Sequence, residues 1–130
     1  MASFSGVVLD ASAILAFLLK EPGRDEVDRQ LEAAVVSSVN WAEVVQKGLT
    51  HQLDAPGLRE GLETIGLQIA PFTAEDAEGV ATLWPQTRSF GLSLADRACL
   101  TLAHRLGLPA WTTDRVWARL TVDVEVHVIR

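Results

Sequence analysis

Basic residues are scarce in this chain. Eleven lysines and arginines stand against seventeen aspartates and glutamates, for a net charge of −6. That balance argues against a protein that grips nucleic acid through a general basic face. Cysteine is nearly absent: with Cys99 alone, no intramolecular disulfide can form, and the chain suits a reducing cytosol. Cys99 falls on the apolar side of a helical segment and reads as a small buried hydrophobe, not a nucleophile. A membrane span is also missing. The apolar run Ala11 to Leu19 is far shorter than the roughly 20 residues a helix needs to cross a bilayer. Asp10 precedes it, no basic segment does, and Lys20-Glu21-Pro22-Gly23 closes it as a helix stop. The expectation is a cytoplasmic protein with no targeting or membrane segment. No internal repeat, low-complexity tract or linker is present. The three histidines, His51, His104 and His127, lack the spacing of a shared metal site.

What is present is the composition of an ordinary globular domain. Of 130 residues, 48% are hydrophobic and 22% charged, enough to build one core, so residues 1–130 read as one domain. Ser5 and Gly6 lead into a short strand, Val7-Val8-Leu9. A helix over Ala11 to Leu19 follows, then a more solvated one over Arg24 to Ala33. Val35 to Ser38 is a second strand, with a helix from about Asn40 to Leu53. Asp54 to Gly57 reads as a turn and Leu58 to Ile65 as a helix. Leu67 to Pro71 is a third strand. Thr73 caps the next helix, with an expected inner stripe of Ala77, Val80, Ala81 and Trp84. Ser93 caps another, whose face of Ala95, Ala98, Cys99, Leu102, Ala103 and Leu106 is apolar and which Gly107 stops. Leu108 to Thr112 and Val124 to Ile129 complete five strands, with a short helix over Arg115 to Leu120 between them. Strands alternating with helices, and apolar on both faces, mean an α/β fold around a mainly parallel sheet.

Four acids stand at the ends of strands or the starts of helices: Asp10 in V-L-D-A-S-A, Glu43 in N-W-A-E, Asp96 in L-S-L-A-D and Asp114 in T-T-D. Each has a structural explanation. Asp10 and Asp114 are good helix caps, and Glu43 can pair with Lys47 one turn on. Asp96 lies three residues after Ser93, nearly a capping box. The joint pattern points further. In an open α/β sheet such strand ends share one crevice, and four carboxylates gathered there repel unless a cation holds them. Hard divalent ions take oxygen ligands and keep waters for chemistry. The pattern implies a metal-dependent phosphoryl-transfer site.

These four motifs, in this order and spacing, resemble those of the PIN-domain ribonucleases, and most closely the VapC toxins of bacterial toxin–antitoxin pairs. The resemblance spans essentially the whole chain. It implies a PIN-like three-layer fold, with a five-stranded parallel sheet of order 3-2-1-4-5 wrapped by helices. It also implies RNA cleavage with Mg²⁺ or Mn²⁺ held by Asp10, Glu43, Asp96 and Asp114. Ser12, Asn40 and Thr112 would be the supporting hydrogen-bonding shell. A homodimer and a cognate VapB-like antitoxin that blocks the site are implied as partners.

Arg97 and Arg115 each follow a cluster acid and are candidate contacts to an RNA phosphate; balancing local charge is their alternative role. Lys47 and Arg88 are further candidates. Trp41 and Trp84 lie on apolar stripes and are expected in the core, whereas Trp111 and Trp117, flanking Asp114, could stack bases. Two rival readings remain. A phosphoacceptor receiver domain would need paired acids after the first strand and an acceptor Asp after the third, where this chain has Asp10 and Pro71. A catalytically silent PIN-like protein-binding module would have no need of four mutually repelling acids.

Overall fold

A computed structural model describes residues 6–130; Ser5, the expected lead-in, lies outside the described residues. Five strands, β1 (Val7–Leu9), β2 (Ala34–Ser37), β3 (Gln68–Ala70), β4 (Ala110–Thr112) and β5 (Val126–Val128), form one sheet in the order β3-β2-β1-β4-β5. Every pairing is parallel, with Val8 opposite both Val35 and Ala110. Among the described residues, seven helices connect and cover the strands: α1 (Ala11–Leu18), α2 (Arg24–Gln30), α3 (Ser38–Thr50), α4 (Ala55–Ile65), α5 (Ala74–Thr82), α6 (Trp84–Thr87) and α7 (Leu94–Leu106). Short 3-10 turns cover Leu31–Ala33, Arg88–Phe90 and Arg115–Arg119.

The sheet divides two cores, and β1 shows why. Side chains alternate across a strand, so Val7 and Leu9 enter a cluster with Ile14, Val27, Leu31, Val36 and Val44. Val8 points the other way, into a cluster with Cys99, Leu100, Leu102, Ala103 and Trp117. Being buried on both faces, β1 is apolar throughout. The chain runs outward from β1 through β2 to β3, then returns to lay β4 on the other side of β1. The order therefore reverses between β1 and β4, and the crevice beyond their carboxyl ends is the natural ligand position.

The helix on Ser93 forms as its pattern predicts: Ala98, Cys99, Leu102 and Ala103 are buried, and Gly107 ends it at a φ of 67°. The α5 stripe does not. Ala77, Ala81 and Trp84 are exposed, and the inward positions are Asp76, Gly79, Val80 and Leu83, one residue out of phase. Two contacts fix that phase. Buried Asp76 takes a two-pronged pair from Arg105 at 3.0 and 3.1 Å. A Cβ on Gly79 would stand 2.7 Å from Thr101 Cγ2, so α5 and α7 approach closely there. Trp84 therefore leaves the core and begins α6, followed by Pro85 in its first turn. Pro56 likewise lies in the first turn of α4, where a proline is tolerated, so the expected turn at 54–57 is the helix start. Trp117 is core, at 1% exposure.

Candidate active site

Asp10 follows β1 and caps α1. Its Oδ1 accepts from the Ala13 amide at 2.9 Å and the Ser12 hydroxyl at 2.7 Å, and its Oδ2 from the Thr112 hydroxyl at 2.6 Å. A carboxylate offers about four lone-pair positions, so Oδ2 keeps one to give. This carboxyl is lifted from its ordinary 3.8 to about 6: burial raises it most, the three hydrogen bonds pull against that rise, and the charge of Asp96 adds to it.

Thr112 ends β4 and is fully buried. While donating to Asp10 it accepts from the Asp114 amide at 3.1 Å. Ser12 repeats the stitch, accepting from the Thr113 amide at 3.0 Å. The ends of β1 and β4 are thus laced through two hydroxyls. Asp114 sits exposed at the rim, its Oδ1 capping the next turn through the Val116 amide at 3.0 Å.

The other wall comes from two helix starts. Asp96 completes a true capping box with Ser93: its Oδ2 accepts from the Ser93 amide at 2.9 Å, and its own amide donates to the Ser93 hydroxyl at 3.1 Å. Glu43, one turn into α3, is half-buried. Burial raises its carboxyl and the charge of Asp96 raises it more, against the opposing effects of Asn40 and Lys47. Asn40 joins the helices: its Nδ2 donates to the Ala95 carbonyl at 3.0 Å and, more loosely, to Glu43 Oε1 at 3.5 Å. Its Oδ1 is buried without a partner. Asp10, Glu43 and Asp96 also act together on Cys99 beneath them, whose thiol is pushed well up, chiefly by burial and then by these charges.

The structure thus brings Asp10 and Glu43 each within electrostatic reach of Asp96 and links Asp114 to Asp10 through Thr112. Among the described residues, no three His, Cys, Asp or Glu side chains stand in position to close on one metal ion together. Such a grip is not needed for Mg²⁺, which binds through one or two carboxylates and retains several waters. The donor set suits a hard cation in other ways. It is all oxygen, the charge of Asp96 raises both Asp10 and Glu43, among the described residues no lysine or arginine forms an ion pair with any of the four, and one buried amide oxygen lacks a partner.

Arg97 is turned onto α5, where its guanidinium donates to the Val80 carbonyl at 2.9 Å. Arg115 is exposed beside Asp114. Two features of the site had no signal in the sequence. The Ala95 carbonyl that anchors Asn40 is a backbone atom, and the Ser12–Thr113 stitch joins positions 101 residues apart. A cavity of about 760 Å³ between α3 and α4, lined by Trp41, Val45, Pro56, Arg59 and Glu63 among others, includes none of the four acids.

Comparison with curated proteins finds no match by sequence. Solved structures do share the fold. A toxin–antitoxin complex from Klebsiella pneumoniae superposes with a TM-score of 0.76 at 16% identity, covering 96% of this chain and 98% of that one. A DNA-bound VapBC from Salmonella typhimurium gives 0.71 at 16% identity over 96% and 98%. VapBC-5 from Mycobacterium tuberculosis gives 0.57 at 22% identity over 97% and 98%. The family model described as PIN domain matches residues 7–122, and with a sheet of that order and acids at its switch point, the chain belongs to the PIN-domain family.

Proposed function

We propose that this protein is a Mg²⁺- or Mn²⁺-dependent endoribonuclease, the VapC-type toxin of a toxin–antitoxin pair. PIN-domain proteins are nucleases, and several solved structures of this fold belong to toxin–antitoxin systems. The observation that carries the reading is the site itself: buried Asp10, its pKa lifted to about 6, stands at the β1/β4 switch point under the charge of Asp96, which raises Glu43 as well. A buried carboxyl with only neutral donors around it is a poor structural choice unless a cation completes it.

Asp10, Glu43, Asp96 and Asp114 would hold the ion between them, one or two directly and the others through its waters. When bound, such an ion lowers the pKa of water and offsets charge on the phosphate. The remaining work belongs to the chain. Ser12 and Thr112 fix both oxygens of Asp10, so that its free lone pair has one direction. Asn40 sets α3 against α7 and keeps Glu43 facing Asp96. In the reaction, water adds to phosphorus and the bond from phosphorus to the 3′ oxygen breaks, leaving a 5′-phosphate and a 3′-hydroxyl. Exposed Arg115, next to Asp114, would meet a phosphate there; Arg97, held by Val80, would have to leave that bond to do so. A homodimer in the cytoplasm, silenced by a VapB-like antitoxin, completes the proposal.

The test is incubation of the purified protein with total RNA and Mg²⁺, followed by mapping of new 5′ ends. Discrete 5′-phosphate ends that vanish in EDTA are expected. Intact RNA, or cleavage undiminished in EDTA with contaminating nucleases excluded, would sink the assignment.

A further inference from the structure

Charge is distributed unevenly along this chain. Residues 84–119 carry five arginines and only two acids, and those acids are Asp96 and Asp114. The rest of the chain carries six basic residues against fifteen acidic ones. An acidic protein thus has one basic segment, and that segment runs through the proposed site.

Two of its five arginines are committed, Arg105 to Asp76 and Arg97 to the Val80 carbonyl. Arg88, Arg115 and Arg119 are exposed, and among the described residues none lies within 4.0 Å of a carboxylate. Two of the three lie on aromatic rings instead. The Arg88 guanidinium carbon is 4.7 Å from the centre of the Trp84 ring, and that of Arg119 is 5.6 Å from the centre of Phe90. Trp84 is 49% exposed, so its ring is available on the surface. The Arg119–Phe90 contact joins the turn before α7, which leads to Asp96, to the turn that Asp114 caps. The Trp84–Arg88 pair ends in that same turn before α7, since Arg88 begins it.

Building on the ribonuclease reading, we propose that Trp84, Arg88, Phe90 and Arg119 form a stacking platform that receives unpaired RNA bases beside the acids. A guanidinium lying on an aromatic ring presents a second flat face to a base while its N–H edge can meet a phosphate. Stacking of this kind tolerates any base. Charge favours RNA over a second copy of this chain on the strip. A twofold contact pairs a patch with itself, which would press Arg88, Arg115 and Arg119 against their own kind, whereas a polyanion meets complementary charge here and repulsion over most of the remaining surface.

The experiment uses the full chain carrying Asp96→Asn to prevent cleavage, titrated with a fluorescein-labelled unstructured oligoribonucleotide. Anisotropy reads affinity and tryptophan emission reads stacking. Adding Trp84→Ala should weaken binding about tenfold, within the range for one lost base stack, and remove most of the RNA-induced quench. Trp84→Phe should recover most of the affinity. Arg88→Ala and Arg119→Ala should each lower the slope of log affinity against log salt by about 0.7, the single-strand value for one phosphate contact. Affinity and quench unchanged in Trp84→Ala would overturn the proposal. So would sedimentation showing that Trp84→Ala turns a dimer into a monomer with RNA affinity per protomer unchanged, which would make the strip an interface between copies. The nuclease reading fails separately: if the parent chain cleaves no RNA while Trp84-dependent binding persists, the platform holds and the enzyme assignment falls.

Discussion

Helices α5 and α7 begin in the same way and end in different chemistry. Each opens with a capping box, Thr73 with Asp76 and Ser93 with Asp96, and each aspartate accepts from the backbone amide of its cap residue. Around Asp76 the fold supplies a counter-charge: burial raises its carboxyl, but Arg105 and the Thr73 amide outweigh that and leave it below its ordinary value. Around Asp96 the fold supplies more negative charge, since its field raises both Asp10 and Glu43. One box is closed within the protein, and the other is left open. An acid paired by arginine holds structure together, whereas acids gathered without a counter-charge invite a cation from outside.

The sharpest way to break the comparison is to neutralise each aspartate in turn. Asp96→Asn should abolish RNA cleavage, with a rate loss of at least about a hundredfold, because a charge that the proposed ion would need is gone. Circular dichroism should be unchanged. Asp76→Asn should leave cleavage untouched. If Asp96→Asn cleaves at the parent rate, the open box is only a cap and the comparison collapses.

The second test uses pH. Folded Asp10 holds its proton up to about pH 6, against 3.8 for an unperturbed aspartate. Between those values the native state binds more protons than the unfolded one. The contribution is therefore fully present below about pH 4 and lost as pH rises through 6, on the order of 3 kcal/mol in all. Glu43, also raised, acts in the same direction. In EDTA the melting temperature should fall from pH 4.5 to 7.5, Asp10→Asn should flatten that fall, and Mg²⁺ at pH 7.5 should restore stability by mass action. A pH profile identical in Asp10→Asn would remove the electrostatic argument for the ion.

Asp76 runs the opposite way. Its lowered carboxyl contributes stability above its ordinary 3.8 that is lost as pH falls through its folded value. Asp76→Asn should cost about 1–2 kcal/mol, discounted because Arg105 is 42% exposed. A melting temperature a few degrees lower at pH 7 is the expected reading. No change would mean that Arg105 contributes nothing measurable.

Much of this contrast was legible in the sequence, though not all of it. Both boxes could be read from T-x-x-D and S-x-x-D, because capping is local chemistry. The α7 stripe was legible because Cys99, Leu102 and Leu106 mark one face. The α5 stripe was not: Ala77 and Ala81 are too small to dictate which face turns inward, and the phase is set by Arg105, 29 residues from Asp76. Trp84 was misassigned to the core for the same reason. The four acids fall at the strand ends and helix starts where their motifs put them. What brings them toward one another is the Asn40–Ala95 bond across 55 residues and the Thr112–Asp10 bond across 102. Contacts of that reach belong to topology, and here the strand order came from family resemblance, since periodicity fixes a strand but not its neighbour.

The smallest effect tests how finely the open site is tuned. Thr112 Oγ1 donates to Asp10 Oδ2 at 2.6 Å, and this bond opposes the rise caused by burial. Thr112→Val preserves shape and removes the hydroxyl. The ionised form of Asp10 then loses its best neutral donor, so its titration should move above about pH 6. The Asp114 amide, which donates to the same hydroxyl at 3.1 Å, loses its acceptor as well. In EDTA the fall of melting temperature with pH should extend to higher pH than in the parent chain, and more Mg²⁺ should be needed at pH 6.5 to reach the same stabilisation. At pH 8, where Asp10 is ionised in both proteins, the gap in Mg²⁺ requirement should narrow. A gap of equal size at both pH values would mean that Thr112 acts by positioning Asp10 and Asp114 and not by setting the charge of Asp10.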